Sequence, residues 1–153
     1  MNIDEYYMQK SIEEATKAYE LDEIPVGAVI VKDNEIIASS FNKKEKKKDP
    51  TAHAEMLAIK EACRNLNTPY LYGCTLYVTY EPCIMCTGAI LNSRLDKIVF
   101  GTYDHKYISL ETIIVQLNKK NANHIPLIQG GILEEKCTHL LQEYFKKKRE
   151  NEI

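Results

Sequence analysis

From residue 75 onward the sequence alternates strand-like and helix-like segments three times, and this alternation restricts the fold more than any other feature. Residues 75–80 and 97–101 are rich in β-branched and aromatic side chains, and 127–130 is a shorter segment of the same kind. Residues 83–93, 108–117 and 133–149 instead space their apolar side chains at helical intervals. Strands joined by about ten or more helical residues form βαβ crossovers, so these strands should be parallel in a sheet covered on both faces.

The first half adds a different unit. Residues 3–20 carry Tyr7, Met8, Ile12, Ala15, Ala18 and Tyr19 among charged residues, which suits an amphipathic helix. After Pro25, residues 26–31 read as a buried strand, and Lys32-Asp33-Asn34-Glu35 as the turn of a hairpin into 36–40. Residues 42–49 are polar and read as a loop, with Pro50 and Thr51 as stop and N-cap for a helix over 52–66. The expected order is α-β-β-α-β-α-β-α-β-α. No linker or internal repeat divides the 153 residues, so a single domain over 1–153 is expected.

Composition excludes several classes. Hydrophobic residues at 44% and charged residues at 27% are ordinary globular usage, which argues against a disordered or coiled-coil chain. No apolar run approaches the roughly 18 residues of a membrane span, and Met1-Asn2-Ile3-Asp4-Glu5 does not begin a secretory signal, so a cytoplasmic location is expected. The net charge of -2 gives no overall cationic field, yet lysines gather at 43, 44, 46, 47 and 48, and Lys146, Lys147, Lys148 and Arg149 form a second cluster. Five cysteines, an odd number, favour reduced thiols or metal ligation over a disulfide framework.

The chemistry concentrates in two short motifs, each at the start of an expected helix: His53-Ala54-Glu55 and Pro82-Cys83-Ile84-Met85-Cys86. One βαβ unit can bring both to the same edge of the sheet. Two cysteines three apart and one imidazole are ligands that zinc accepts, and three protein ligands leave a position for water, as catalytic sites do. Cys63 or Cys74 remain alternatives as a fourth ligand; otherwise they, with Cys137, are small core residues. Glu55 lies two residues from His53, a poor spacing for a co-ligand but a suitable one for a proton shuttle. A lone C-x-x-C also occurs in structural zinc and redox sites. The combination of H-x-E with P-C-x-x-C is the signature of zinc-dependent nucleobase deaminases.

At these motifs the sequence resembles the cytidine and deoxycytidylate deaminase superfamily, and more closely its bacterial tRNA-specific adenosine deaminases. The resemblance extends to Ile24-Pro25-Val26-Gly27-Ala28-Val29, Asp49-Pro50-Thr51-Ala52, Thr75-Leu76-Tyr77-Val78-Thr79, Thr87-Gly88-Ala89-Ile90 and Ser93-Arg94. It implies a three-layer α/β/α fold around a five-stranded mixed sheet, a homodimer and one zinc per subunit. Zinc ligation is thereby carried to His53, Cys83 and Cys86, and the proton shuttle to Glu55. Asn42 matches the asparagine that hydrogen-bonds the nucleoside, and the backbone of Ala54 and Cys83 matches positions that help hold the base. Asp104, Lys106 and Asn123 match positions facing the RNA, and Lys146, Lys147, Lys148 and Arg149 follow Tyr144-Phe145 on a helix that resembles the family's RNA-facing one.

One segment departs from the pattern. After Asp104-His105-Lys106 the glycine-rich continuation of the family is replaced by Tyr107-Ile108-Ser109, so this rim should differ in shape. The expected activity is hydrolytic deamination of wobble adenosine to inosine, with a tRNA anticodon stem-loop as partner and no membrane. The competing readings are a deaminase of a free base or nucleoside such as guanine or cytosine, and a catalytically idle RNA-binding or structural zinc protein, which the presence of Glu55 opposes.

Overall fold

A computed structural model describes residues 1–120 and 124–151. In chain order the elements are α1 (Ile3–Glu20), β1 (Gly27–Lys32), β2 (Glu35–Phe41), α2 (Lys44–Lys47), α3 (Ala54–Leu66), β3 (Cys74–Tyr80), α4 (Ile84–Asn92), β4 (Lys97–Thr102), α5 (Leu110–Lys119), β5 (Leu127–Gln129) and α6 (Glu134–Asn151). The strands form one mixed sheet in the order β2-β1-β3-β4-β5. The hairpin β1–β2 and the pair β1–β3 are antiparallel, whereas β3–β4 and β4–β5 are parallel, as expected for strands joined through helices.

The period of two along each central strand builds the layers. Ala28 and Ile30 of β1, Leu76 and Val78 of β3, and Ile98 and Phe100 of β4 bury one face against α3, α4 and α5, through residues such as Ala58, Ile90 and Ile114. Val29, Val31, Tyr77 and Val99 alternate to the other face, where Tyr7 and Met8 of α1 and Cys137 of α6 cover them. The sheet is therefore sandwiched between helices, the three-layer α/β/α arrangement expected from the sequence.

Two glycines set the depth of the second layer. A Cβ at Gly27 would overlap the Ser11 carbonyl oxygen and the Ala15 amide of α1, and one at Gly101 would overlap Cys137 of α6. Ser11 completes the packing of α1 by donating its hydroxyl to the Tyr77 carbonyl at 2.9 Å.

The segment between β2 and α3 differs from the loop and helix expected there. Residues 42–49 contain the short helix α2, because the Glu23 carboxylate accepts the backbone N–H groups of Glu45 and Lys46. A partner more than twenty residues away leaves no local signature in the sequence. Helix α3 begins at Ala54 rather than residue 52, with His53 as its N-cap. Thr51 is not the cap; its amide and hydroxyl both donate to Asp49 Oδ1 and close a turn instead. Asn123 lies outside the described residues.

Candidate metal centre and active site

The two motifs converge at the N-terminal ends of α3 and α4. His53 is the N-cap of α3 and Cys83 that of α4, positions where Ser, Thr, Asp or Asn would ordinarily bond the first amides. Neither side chain makes a capping bond. Both point instead at Cys86, on the first turn of α4, so that His53 Nδ1 lies 3.6 Å from Cys83 Sγ and 3.5 Å from Cys86 Sγ. The ligand atoms all lie within 4.8 Å of one another.

These separations fit zinc. Bond lengths of about 2.3 Å to sulfur and about 2.0 Å to nitrogen place the N···S edges of a tetrahedron roughly 3.6 Å apart. Among the described residues this is the group of His, Cys, Asp and Glu side chains that could hold a metal ion. The alternatives for a fourth ligand are not part of it: Cys74 is buried in the sheet core, and Cys63 packs against the same core from α3. Charge also suits a cation. A hydrogen bond from Cys86 pulls the Cys83 thiol down to about 4, helped by His53 against the opposing effect of burial. Donating that bond, together with burial, pushes Cys86 up.

Glu55, in the first turn of α3, is 4% exposed. Burial raises its carboxyl from the ordinary 4.5 to about 7, opposed by its own backbone N–H and by the nearby His53. A carboxyl in that range can take up and release a proton near neutral pH. The site thus combines a His-Cys-Cys cluster with an adjacent buried carboxyl raised to near neutral pH.

The remaining candidates surround this centre unequally. Asn42 is buried at the end of β2, donating Nδ2 to the Ile24 carbonyl at 3.3 Å and accepting the Lys44 amide on Oδ1 at 3.2 Å. The next residue links it to the metal cluster, since the Lys43 amide donates to the Ala52 carbonyl beside His53. Ala54 is fully buried at the first helical position of α3. Asp104 and Lys106 lie on the opposite side, in the segment between β4 and α5, where Asp104 Oδ1 accepts the Lys106 amide at 2.9 Å. That segment is tied to the cysteine motif by a bridge between Cys83 and Ser109 and by the Leu110 amide bonding the Pro82 carbonyl. Tyr107 and Ile108, which replace the expected glycines, are exposed there.

Sequence reasoning missed Glu81. Its buried carboxylate accepts the Asp104 amide at 3.0 Å and the Glu111 amide at 3.2 Å, anchoring this rim and the start of α5. An acidic residue at the inner end of an otherwise apolar strand, directly before Pro82, was the available signal. The C-terminal cluster is divided in role: Lys147 stacks over the Tyr19 ring, and Lys148 lies over Tyr144 and pairs with Asp22 at 2.7 Å. Lys146 and Arg149 are exposed.

Residues 1–102 match the model of the cytidine and deoxycytidylate deaminase zinc-binding region. The tRNA-specific adenosine deaminase of Aquifex aeolicus is 50% identical over 149 residues, covering 97% of this chain and 98% of that protein. The chain belongs to the tRNA-specific adenosine deaminase family. Among solved structures, a protein described in work on A-to-I editing by tRNA:A34 deaminases at the wobble position of transfer RNA superposes with a TM-score of 0.83. It shares 37% identity and covers 89% of this chain and 99% of its own. A guanine deaminase from Bacillus subtilis shares 40% identity over a smaller part, 67% of this chain and 66% of its own, with a TM-score of 0.63. For a tRNA-specific adenosine deaminase, the cluster of His53, Cys83 and Cys86 falls inside the matched zinc-binding region, and Glu55 with it.

Proposed function

We propose that this chain is a zinc-dependent hydrolytic deaminase that converts adenosine to inosine at the wobble position of a tRNA, acting on the anticodon stem-loop. The observation that carries the reading is the buried Glu55 carboxyl beside a His-Cys-Cys cluster of zinc dimensions, in a chain matched along almost its whole length by tRNA-specific adenosine deaminases.

One zinc per chain, held by His53, Cys83 and Cys86, would supply the Lewis acid that activates water at neutral pH. Glu55 takes the proton of the attacking water and delivers it to the purine N1 as the C6–O bond forms. It then moves the remaining proton of the new C6 hydroxyl to the exocyclic amine, so that the C6–N bond breaks, ammonia leaves and the C6 carbonyl of inosine forms. Asn42 holds the nucleoside with the N–H and lone pair that Ile24 and Lys44 do not use, and the Ala54 and Cys83 backbones frame the base. Asp104 and Lys106 approach the flanking nucleotides, a role the resemblance extends to Asn123, while Lys146 and Arg149 meet the phosphates, with Lys147 over Tyr19 and Lys148 on Asp22 adding to the cationic field of α6.

The same reading takes the chain as a single cytoplasmic domain acting as a homodimer. Support for the second copy is the outer side of α4, where Ile84 is 64% exposed and nothing lies within 4 Å of a Cβ built at Gly88. Among the described residues no helix is long and apolar enough to cross a membrane.

A second reading, deamination of a free purine, is favoured by the 40% identity to a guanine deaminase over two thirds of the chain and by the altered rim at Tyr107-Ile108-Ser109. The deciding experiment offers zinc-loaded protein an anticodon stem-loop with adenosine at the wobble position, and separately guanine, adenosine and cytidine, with ammonia release and inosine formation as readouts. Inosine in the stem-loop supports the proposal; turnover of a free compound with none of the stem-loop refutes it.

A further inference from the structure

The turn that follows α1 connects the two basic clusters that lie a hundred residues apart in sequence. Asp22 accepts the Tyr144 hydroxyl on its carbonyl at 3.3 Å and pairs its carboxylate with Lys148, which secures the C-terminal part of α6. Ile24 accepts the Asn42 side chain. Between them Glu23, only 1% exposed, receives the Glu45 amide on Oε1 at 2.9 Å and the Lys46 amide on Oε2 at 2.7 Å. A groove of about 460 Å³ opens between these elements, with Glu23, Asn42, Lys44, Tyr144 and Phe145 among its lining residues.

The helix that Glu23 holds would not persist on its own. It has four residues, three of them lysines, and its N-cap is Lys43, whose side chain makes no capping bond. Four residues are far below the length at which a helix is stable in isolation. We propose that Glu23 is a positioning residue for the RNA substrate: its carboxylate folds α2 so that Lys44, Lys46 and Lys47 meet substrate phosphates at the groove beside Asn42. This rests on the tRNA reading above and adds to it a residue that touches neither base nor phosphate.

The sign of the effect separates two roles for this carboxylate. Were Glu23 only a negative charge beneath three lysines, removing it would tighten binding of a polyanion. As a positioning residue it must do the opposite. Glu23→Gln keeps the volume but aims an amide donor at one of the two backbone N–H groups, and Glu23→Asp keeps the charge but withdraws it from both. Dissociation constants for the wobble-adenosine stem-loop are measured against salt, with kcat at saturating RNA and thermal unfolding alongside.

Both variants should weaken binding by about fivefold at 0.1 M salt for each lysine–phosphate pair that no longer forms, and lower the log-log salt slope by about 0.7 per pair, while kcat stays within about twofold. The triple variant Lys44→Ala, Lys46→Ala, Lys47→Ala should lower the slope at least as much, and adding Glu23→Gln to it should change binding little further, because both act through the same phosphates. Glu45→Gln, which removes a charge from α2 itself, should not weaken binding. Unchanged or tighter binding by Glu23→Gln, an unchanged salt slope, or full additivity with the triple variant overturns the proposal. So does failure of both Glu23 variants to fold, which would make the residue a support of the whole fold. If the parent protein ignores the stem-loop, it is the functional reading that fails instead.

Discussion

Replacing Glu55 with Gln separates the two consequences of its burial. The substitution keeps shape and volume but removes the ability to carry a proton. Each proton transfer by a positioned side chain is typically worth about 10² to 10⁴ in rate, and the proposed reaction uses this carboxyl more than once, so kcat should fall by about 10⁴ or more. Stability should move the other way at high pH. The folded carboxyl titrates at about 7 against an ordinary 4.5 because burial disfavours its charged form. A carboxyl raised in this way costs nothing below its unfolded value, begins to oppose folding as pH rises through that value, and opposes it fully above the folded one. The difference of about 2.5 units corresponds to about 3 kcal/mol. In protein kept metal-free by a chelator, the stability of Glu55→Gln relative to the parent should therefore climb by about 3 kcal/mol between pH 4.5 and pH 8.5. Titrations shared by both proteins cancel in this difference. With zinc bound, the dication favours the carboxylate and the climb should shrink. Denaturant unfolding at several pH values measures it. A flat difference in the metal-free protein would refute burial as the control on this carboxyl, and near-parental turnover would remove Glu55 from the mechanism.

Metal analysis of Cys86→Ala should show loss of zinc together with a lowered midpoint of unfolding, whereas Cys63→Ser should retain zinc, since Cys63 lies outside the ligand cluster. Gly27→Ala should cost about 3 kcal/mol or more, because its Cβ overlaps backbone atoms of α1 that no rotamer change can move; a fall of roughly 6–12 °C in the midpoint by calorimetry checks it. Ile84→Glu should convert a dimer to a monomer in light scattering while preserving metal content, and a parent that is itself monomeric would count against the dimer.

The fold was legible where a local pattern dictates it. The period of two in β1, β3 and β4 and the crossover lengths after residue 75 are written into neighbouring residues, and the parallel half of the sheet follows from them. The convergence of His53, Cys83 and Cys86 was legible because zinc demands particular side chains at fixed spacing, and that spacing can be read directly. What the sequence hid depends on competing local bonds or on distant pairing. Thr51 had the composition of an N-cap, but Asp49 competes for it two residues away, and the first ordered turn then falls to His53. His53 and Cys83 both occupy cap positions without bonding their own helices, which leaves both side chains available to a metal. Glu23 and Glu81 were invisible for a similar reason, since each serves backbone amides more than twenty residues away.

Those two carboxylates also bear on the choice between tRNA and a free base. A small heterocycle needs only the enclosed part of the site, supplied by the starts of α3 and α4 with Asn42. A macromolecular substrate needs rims that keep their shape in water while carrying charge, and the two segments flanking this centre are held in that way. Glu23 fixes the lysine-bearing segment on one side, and Glu81 fixes the segment carrying Asp104 and Lys106 on the other. Each rim is built from a buried acid and backbone amides, which leaves the lysine ammonium groups outside the anchoring bonds. Helix α6 completes the arrangement through the Asp22 turn, and it lies beyond the 102 residues that match the zinc-binding region alone. The Aquifex aeolicus tRNA-specific adenosine deaminase matches over 97% of the chain, α6 included. The groove lined by Asp22, Glu23 and Tyr144 is where the two readings differ in what they require, since a free base leaves it empty whereas an anticodon stem-loop must fill it.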